Sequence, residues 1–130
     1  MMSRRDSIEI TLNGADKKIN STEELGELLD RLDQEPQFEF WISAERGPSM
    51  CMLRNREHGY LMYLHFNGDS GLVTKGDQGR PGTCSYELSN GQIDELPLSW
   101  CIDLEQCFRA IAYFFVNDGA RYDIVTWQVA

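Results

Sequence analysis

QFEFWIS (residues 37–43), SMCMLR (49–54) and GYLMYLHF (59–66) are three consecutive apolar stretches at the centre of this 130-residue chain. In the first and the third, side chains alternate at the two-residue period of a β-strand, and Gly47-Pro48 and residues 55–59 are turn signals between the stretches. This spacing predicts three strands in meander order. Residues 59–66 are apolar on both faces, which predicts either a central strand covered on both sides or an exposed face that is used.

A strand and a helix are predicted before the meander. Residues 7–12 alternate, Asn13-Gly14 is a tight-turn signal, and residues 16–20 return as a short, weak strand. Ser21 and Glu24 form the capping-box pattern that opens a helix. The apolar side of this helix recurs at spacings of three and four residues, in Leu25, Leu28, Leu29 and Leu32.

Short extended segments follow the meander. Residues 72–75 are predicted to be short and extended and residues 83–88 to form a strand, with a glycine-containing loop over 76–82 between them. Residues 92–100, which include Pro97, are predicted to be extended but irregular.

A second helix and a closing strand complete the predicted fold. Asp103 and Gln106 form another capping box, residues 117–119 (Asn-Asp-Gly) stop the helix, and residues 123–129 form the last strand. The order strand, helix, meander, helix, strand predicts an α+β fold, with two main helices packed on an antiparallel sheet. No linker is visible, so we expect residues 1–130 to be one domain with residues 1–6 frayed.

The formal net charge of −9 limits the class of ligand. Phosphates would be repelled, so nucleic acid and anionic membranes are disfavoured as direct ligands, whereas a basic protein partner would be attracted. Solubility is an equally good explanation of the acidity. No apolar run reaches the ~20 residues of a membrane span and no signal peptide is apparent, which favours the cytoplasm.

The residue types of common catalytic and metal sites are present but not arranged in their motifs. The four cysteines show no zinc-ligand spacing, and the two histidines lie in no nucleophile or metal motif. We therefore expect a binding protein without a cofactor or metal and not an enzyme. The alternative is a small enzyme or ligand-binding domain with a pocket between sheet and helices, using Tyr63, His65 or Cys84.

Acidic and aromatic side chains concentrate around the meander and the loop after it. Aromatic anchors supply binding energy and carboxylates steer encounter, so such a patch would suit a basic protein. For each residue alone, ordinary solvated surface is at least as good an explanation. The predicted partner-binding residues are Glu39, Trp41, Glu57, Asp69, Asp77, Tyr86 and Glu87.

The C-terminal half also resembles a known family. It contains, in order, LVTKG (72–76), Tyr86-Glu87, Pro97, the helix over 104–115, and Gly119-Ala120-Arg121 leading to Val125-Thr126-Trp127. This order resembles the Imm-one type of immunity protein from bacterial polymorphic toxin systems, over roughly residues 22–129. One departure is Tyr122, which stands where family members often have proline. Arg121 and Trp127 remain in register and are expected to set the fold.

The resemblance implies a function in competition between bacteria. It implies a cytoplasmic antidote that binds a cognate toxin domain and blocks its active site. Partners in this family include nucleic-acid deaminases and other toxins that attack nucleic acids, whose substrate grooves tend to be basic. An acidic inhibitor would mimic the charge of such a substrate.

Overall fold

The computed structural model of the chain describes residues 8–45 and 47–130. The predictions for residues 1–6 and for Ser7 lie outside them. Within the described residues, nine strands and two α-helices follow the order β1 (Ile8–Leu12), β2 (Ala15–Lys17), α1 (Thr22–Asp33), β3 (Gln37–Ala44), β4 (Ser49–Asn55), β5 (His58–Leu64), β6 (Leu72–Thr74), β7 (Thr83–Glu87), β8 (Ile93–Pro97), α2 (Leu104–Val116) and β9 (Trp127–Val129). A short 3₁₀ helix, Leu98–Trp100, joins β8 to α2.

Seven of these strands form one antiparallel sheet in the order β2-β1-β3-β4-β5-β6-β9. The predicted meander is confirmed: Gln37 of β3 pairs with Asn55 of β4, and Ser49 of β4 pairs with Leu64 of β5. The last strand closes the sheet by pairing with β6. The α+β fold is therefore as predicted, with the meander at the centre of the sheet.

Both helices pack on one face of the sheet. The leucine stripe of α1 and the apolar side of α2 meet alternate side chains of the central strands. Arg54 of β4 also donates hydrogen bonds to the carbonyl oxygens of Leu32 and Asp33, each at 3.0 Å, and so ties the C-terminal end of α1 to the sheet. The largest fully buried side chains of this layer are Leu25, Leu32, Phe40, Ile42, Met50, Met52, Leu61, Ile111, Phe114 and Phe115.

The hairpin β7–β8 covers the opposite face. Cys84 and Tyr86 of β7 are buried against Cys51, Leu53, Tyr60 and Val73 of the sheet. The ring of Tyr60 lies 5.4 Å from that of Tyr86, edge to face, and 5.6 Å from that of Trp100. Strand β5 is thus covered on both sides, which is one of the two outcomes that the apolar pattern of residues 59–66 predicted.

Three predicted segments are corrected by the structure. The second strand covers residues 15–17 instead of 16–20, and the segment 92–100 contains the regular strand β8. The closing strand begins at Trp127, not at Asp123, because residues 123–125 form a turn in which Val125 is buried while Ile124 is 76% exposed. Burial of the Val125 side chain in the tertiary structure favours this turn, although residues 124–126 have high strand propensity.

The two predicted capping boxes differ in outcome. At α1, Ser21 Oγ accepts a hydrogen bond from Glu24 N at 3.1 Å, as predicted, and the Glu24 carboxylate accepts one from Asn20 N at 2.7 Å. At α2, Asp103 occupies the N-cap position but its side chain makes no capping hydrogen bond. The predicted capping box at α2 is therefore wrong, although the helix starts where predicted. Asp103 instead lines a surface cleft.

Trp127 joins the closing strand to the helix-side core. Its indole Nε1 donates to the carbonyl oxygen of Tyr122 at 3.0 Å, and its ring lies 6.0 Å from that of Tyr63, edge to face. Tyr122 itself is buried. The half-buried indole therefore holds residues 122–127 against the sheet.

We expect Trp127→Ala to lower the free energy of unfolding by about 3 kcal/mol, the lower end of the range for truncating a packed aromatic. Trp127→Phe keeps the ring contact and loses the hydrogen bond, so it should cost only about 1 kcal/mol. Urea denaturation of both variants measures the difference. Equal stability of Trp127→Ala and the wild type would show that the indole contributes no packing.

Candidate functional site

The carboxylate of Glu39 is held by donors from within the chain. Trp41 Nε1 donates to Oε2 at 3.0 Å, while the backbone N and the hydroxyl of Ser89 donate to Oε1 at 3.0 and 2.8 Å. Burial opposes ionisation of this carboxyl, but the hydrogen bonds from Ser89 and Trp41 outweigh it and lower the pKa of Glu39. Glu39 is therefore an ionised acceptor in the fold.

The same residue joins three separate parts of the chain. Ser89 lies in the turn between β7 and β8, whereas Glu39 is on the central strand β3. Asn13, in the β1–β2 turn, accepts from Glu39 N at 2.9 Å through its side chain and donates to the Glu39 carbonyl at 2.8 Å through its backbone N. Glu39 and Trp41 were predicted to bind a partner, but these contacts give both a structural role.

Tyr86 is placed in the interior. It is 1% exposed, and its hydroxyl lies 3.3 Å from Cys101 Sγ. Burial raises the pKa of Tyr86 well above its ordinary value. The prediction that grouped Tyr86 with surface anchors is corrected, because alternation along β7 directs this side chain toward the sheet.

Glu57 and Asp77 line one cleft of about 700 Å³, together with Asp103. Three carboxylates therefore converge from the β4–β5 turn, the loop after β6 and the start of α2. The cations Lys75 and Arg80 lie in the same lining. The cleft is the one place where two of the predicted partner-binding residues meet and both remain exposed.

Backbone contacts fix the loop that carries Asp77. Gly76 N donates to the carbonyl oxygen of Ser99 at 2.7 Å, and Gln78 Nε2 donates to the carbonyls of Gly76 and Ser99, each at 3.1 Å. A Cβ at position 76 would collide with the carbonyl oxygen of Cys101, so glycine is required for this close approach. The loop is thus held against residues 99–101, which precede α2.

His58 contacts two charged residues that line the cleft. Its Nε2 is 3.3 Å from Glu57 Oε1, and Arg80 Nη2 is 3.4 Å from its Nδ1. Ile124, which is 76% exposed, also borders the cleft. An apolar side chain therefore stands next to the carboxylates.

Asp69 and Glu87 lie elsewhere. Asp69 Oδ2 accepts hydrogen bonds from His65 N at 2.9 Å and His65 Nδ1 at 2.8 Å, at the end of β5 away from Glu57. The seven residues of β5 separate these two ends by roughly 20 Å. Glu87 is exposed on the outer face of the hairpin, opposite Ile93. The predicted patch is thus divided among several surfaces.

The residues of the alternative enzymatic site do not converge. The rings of Tyr63 and His65 are 5.2 Å apart, but the Tyr63 hydroxyl donates to the carbonyl oxygen of Gly119 at 2.6 Å in the helix-side core. Cys84 is buried in the hairpin layer, on the other face of the sheet. Burial raises the pKa of Cys84, which disfavours the nucleophilic thiolate.

Across residues 8–45 and 47–130, no group of three or more His, Cys, Asp or Glu side chains is placed to hold a metal ion. No helix in the described part of the chain has the length and apolar character needed to cross a membrane.

Asp103 and Ile124 are cleft residues that sequence reasoning missed. Asp103 follows the pattern of a helix cap, and Ile124 follows the pattern of a strand. The local sequence does not show that either residue lines a cleft. That position depends on how the start of α2 and the residues before β9 meet the loop after β6.

Comparison with known protein families identifies a match. A family model described as Immunity protein Imm1 matches residues 13–129. This range includes every element from β2 to β9. No curated protein matches the sequence.

We expect Glu39→Gln to lower the free energy of unfolding by about 1–3 kcal/mol at pH 7. Trp41 and Ser89 both donate to the carboxylate, so the NH₂ group of the introduced glutamine would face a donor and lose a hydrogen bond. The pKa of Glu39 is lower in the folded state than in the unfolded state. The stability that its carboxylate contributes is therefore present above the unfolded pKa and is lost as pH falls through the folded pKa. The difference in the free energy of unfolding between variant and wild type, measured by urea denaturation, should therefore be smaller at pH 3 than at pH 7. Glu87→Gln, at an exposed position, is the control and should change little at either pH.

Proposed function

We propose that this chain, which belongs to the immunity protein Imm1 family, binds and neutralises one cognate bacterial toxin domain. The family match is the observation that carries the proposal. An immunity protein acts inside the cell that makes it, so we place its action in the bacterial cytoplasm. Its function then depends on the surface it offers to the toxin.

The charge of the chain supports a basic toxin surface as the target. With a formal net charge of −9, the protein attracts cationic surfaces over roughly one Debye length, about 8 Å at physiological salt. A toxin that acts on nucleic acid, such as a deaminase, needs positive charge around its substrate groove. We therefore infer that the toxin attacks nucleic acid and that the immunity protein covers its active site.

The cleft at the start of α2 supports this inference in detail. Glu57, Asp77 and Asp103 present three carboxylates around one depression, one more than the two cations Lys75 and Arg80 in the same lining, and Ile124 adds an exposed apolar side chain. Interfaces of high affinity combine a desolvated apolar anchor with charged groups that steer the encounter. Lysine or arginine side chains of the toxin would pair with the carboxylates, while Ile124 packs against its surface.

Co-expression tests the proposed function. The toxin domain encoded by the neighbouring gene should stop growth when expressed alone, and this chain should restore growth. Purified together, the two proteins should form a complex in which the toxin no longer acts on its substrate. Continued growth arrest, with no complex formed, would contradict the proposal.

We expect Glu57→Lys combined with Asp77→Lys to weaken toxin binding at least about tenfold, mainly by slowing association. The effect should shrink at high salt, because screening removes the attraction that the two carboxylates provide. Surface plasmon resonance with a catalytically inactive toxin domain measures both rates.

The matched control is Glu9→Lys combined with Asp16→Lys. Both residues are exposed, on β1 and β2, and the pair changes the total charge by the same amount. Equal weakening by both double variants would mean that only the net charge matters and that the cleft has no special role.

A further inference from the structure

A groove of about 580 Å³ opens at the surface between α1 and α2. Leu29 of α1 and Phe108 and Ala112 of α2 line it, and all three are only partly buried in the core. Gly26 also lines the groove, and a Cβ built there would meet no atom within 4 Å. The groove therefore has an apolar floor and is left open where a larger α1 side chain would narrow it.

The rim of the groove is acidic. Asp30 and Asp33 lie along the α1 side, and neither carboxylate has an ion-pair partner within the described residues. On the α2 side, Arg109 Nη2 is 2.7 Å from Glu105 Oε1, so these two charges largely cancel. The charge that remains on the rim is negative.

Helix α1 concentrates negative charge beside this rim. Residues 22–33 contain five carboxylates and one arginine, which gives the helix a formal net charge of −4 in a chain of −9. All five acidic residues are exposed. A cationic segment would be attracted to this helix before it reached the groove.

The residues that line the α1 side are poor choices for the helix itself. Glycine is among the least favourable residues in a helix interior. Asp30 and Asp33 lie in the last turn of α1, where the helix dipole disfavours carboxylates. These residue types weaken the helix locally, yet together they make a groove that is open, apolar at its floor and negative at its rim.

We propose that this groove receives a basic segment of the toxin, with an apolar side chain over Leu29 and Phe108 and flanking lysine or arginine side chains paired with Asp30 and Asp33. The proposal rests on the proposed function, because it takes the toxin as the partner. The groove and the cleft also meet at the start of α2, where Asp103 and Leu104 line the cleft and Glu105 and Phe108 line the groove. We expect one partner to contact both surfaces.

Two variants of Gly26 separate binding from folding. Gly26→Trp places a large side chain at the open position and should weaken binding to the catalytically inactive toxin domain at least about tenfold. Gly26→Ala is the matched control, because it improves helix propensity and leaves the groove open; its binding should stay within about twofold of wild type. Both variants should melt at or above the wild-type temperature.

Charge reversal and amide exchange test the rim. Asp30→Lys combined with Asp33→Lys should also weaken binding at least about tenfold. Hydrogen–deuterium exchange of the complex should show new protection in α1 and in the first half of α2.

The outcomes distinguish the two proposals. Wild-type affinity in Gly26→Trp and in the double aspartate variant, while the wild-type chain binds toxin, would overturn the groove and leave the proposed function standing. Failure of the wild-type chain itself to bind would overturn both.

Discussion

Strands β4 and β5 have apolar side chains on both faces, and Trp41 of β3 adds to the second face, so the sheet requires a covering layer on each side. The hydrophobic effect makes this the governing constraint, since each exposed face would leave several large side chains in water. The helices supply one layer, and the short hairpin β7–β8 with the 3₁₀ helix supplies the other. Most charged residues are then confined to turns, to the outer face of the hairpin and to the outer sides of the helices.

A small layer such as the hairpin needs to be fastened to the sheet. At the β7–β8 turn, Glu39 accepts both hydrogen bonds from Ser89, and in the middle of β7, Asn55 Nδ2 donates to the carbonyl oxygen of Ser85 at 2.7 Å. Gly76, held against Ser99 and Cys101, fixes the path by which the chain leaves the sheet. These polar contacts orient the layer, while Tyr86 and Cys84 contribute the apolar burial. A carboxylate on a central strand is therefore part of the fold here.

Local signals account for what the sequence predicted well. Leucine spacing identified α1, alternation identified the meander, and Asn117-Asp118-Gly119 marked the end of α2, where Gly119 has a φ of 96°. The hairpin layer was missed because its recognition depends on which face of β7 meets the sheet. Periodicity shows that Cys84 and Tyr86 share a face but not that this face is covered.

The candidate site was less predictable for the same reason. Glu39 and Ser89 are fifty positions apart in the chain, and Glu57 and Asp69 are only twelve positions apart in the sequence yet lie at opposite ends of β5.

The two sides of helix α1 meet different requirements, one for stability and the other for recognition. Its inner side and its start follow the rules of a stable helix: Ser21 caps it, Glu23 and Glu24 lie in the first turn, and Leu25, Leu28 and Leu32 are buried. Arg54 satisfies its last carbonyls from the sheet side. The departures from these rules, Gly26, Asp30 and Asp33, all fall on the side that lines the groove. Since local choices in a stable fold normally agree with one another, departures confined to one surface indicate that this surface serves another requirement. Binding a cationic partner is a requirement that all three departures meet.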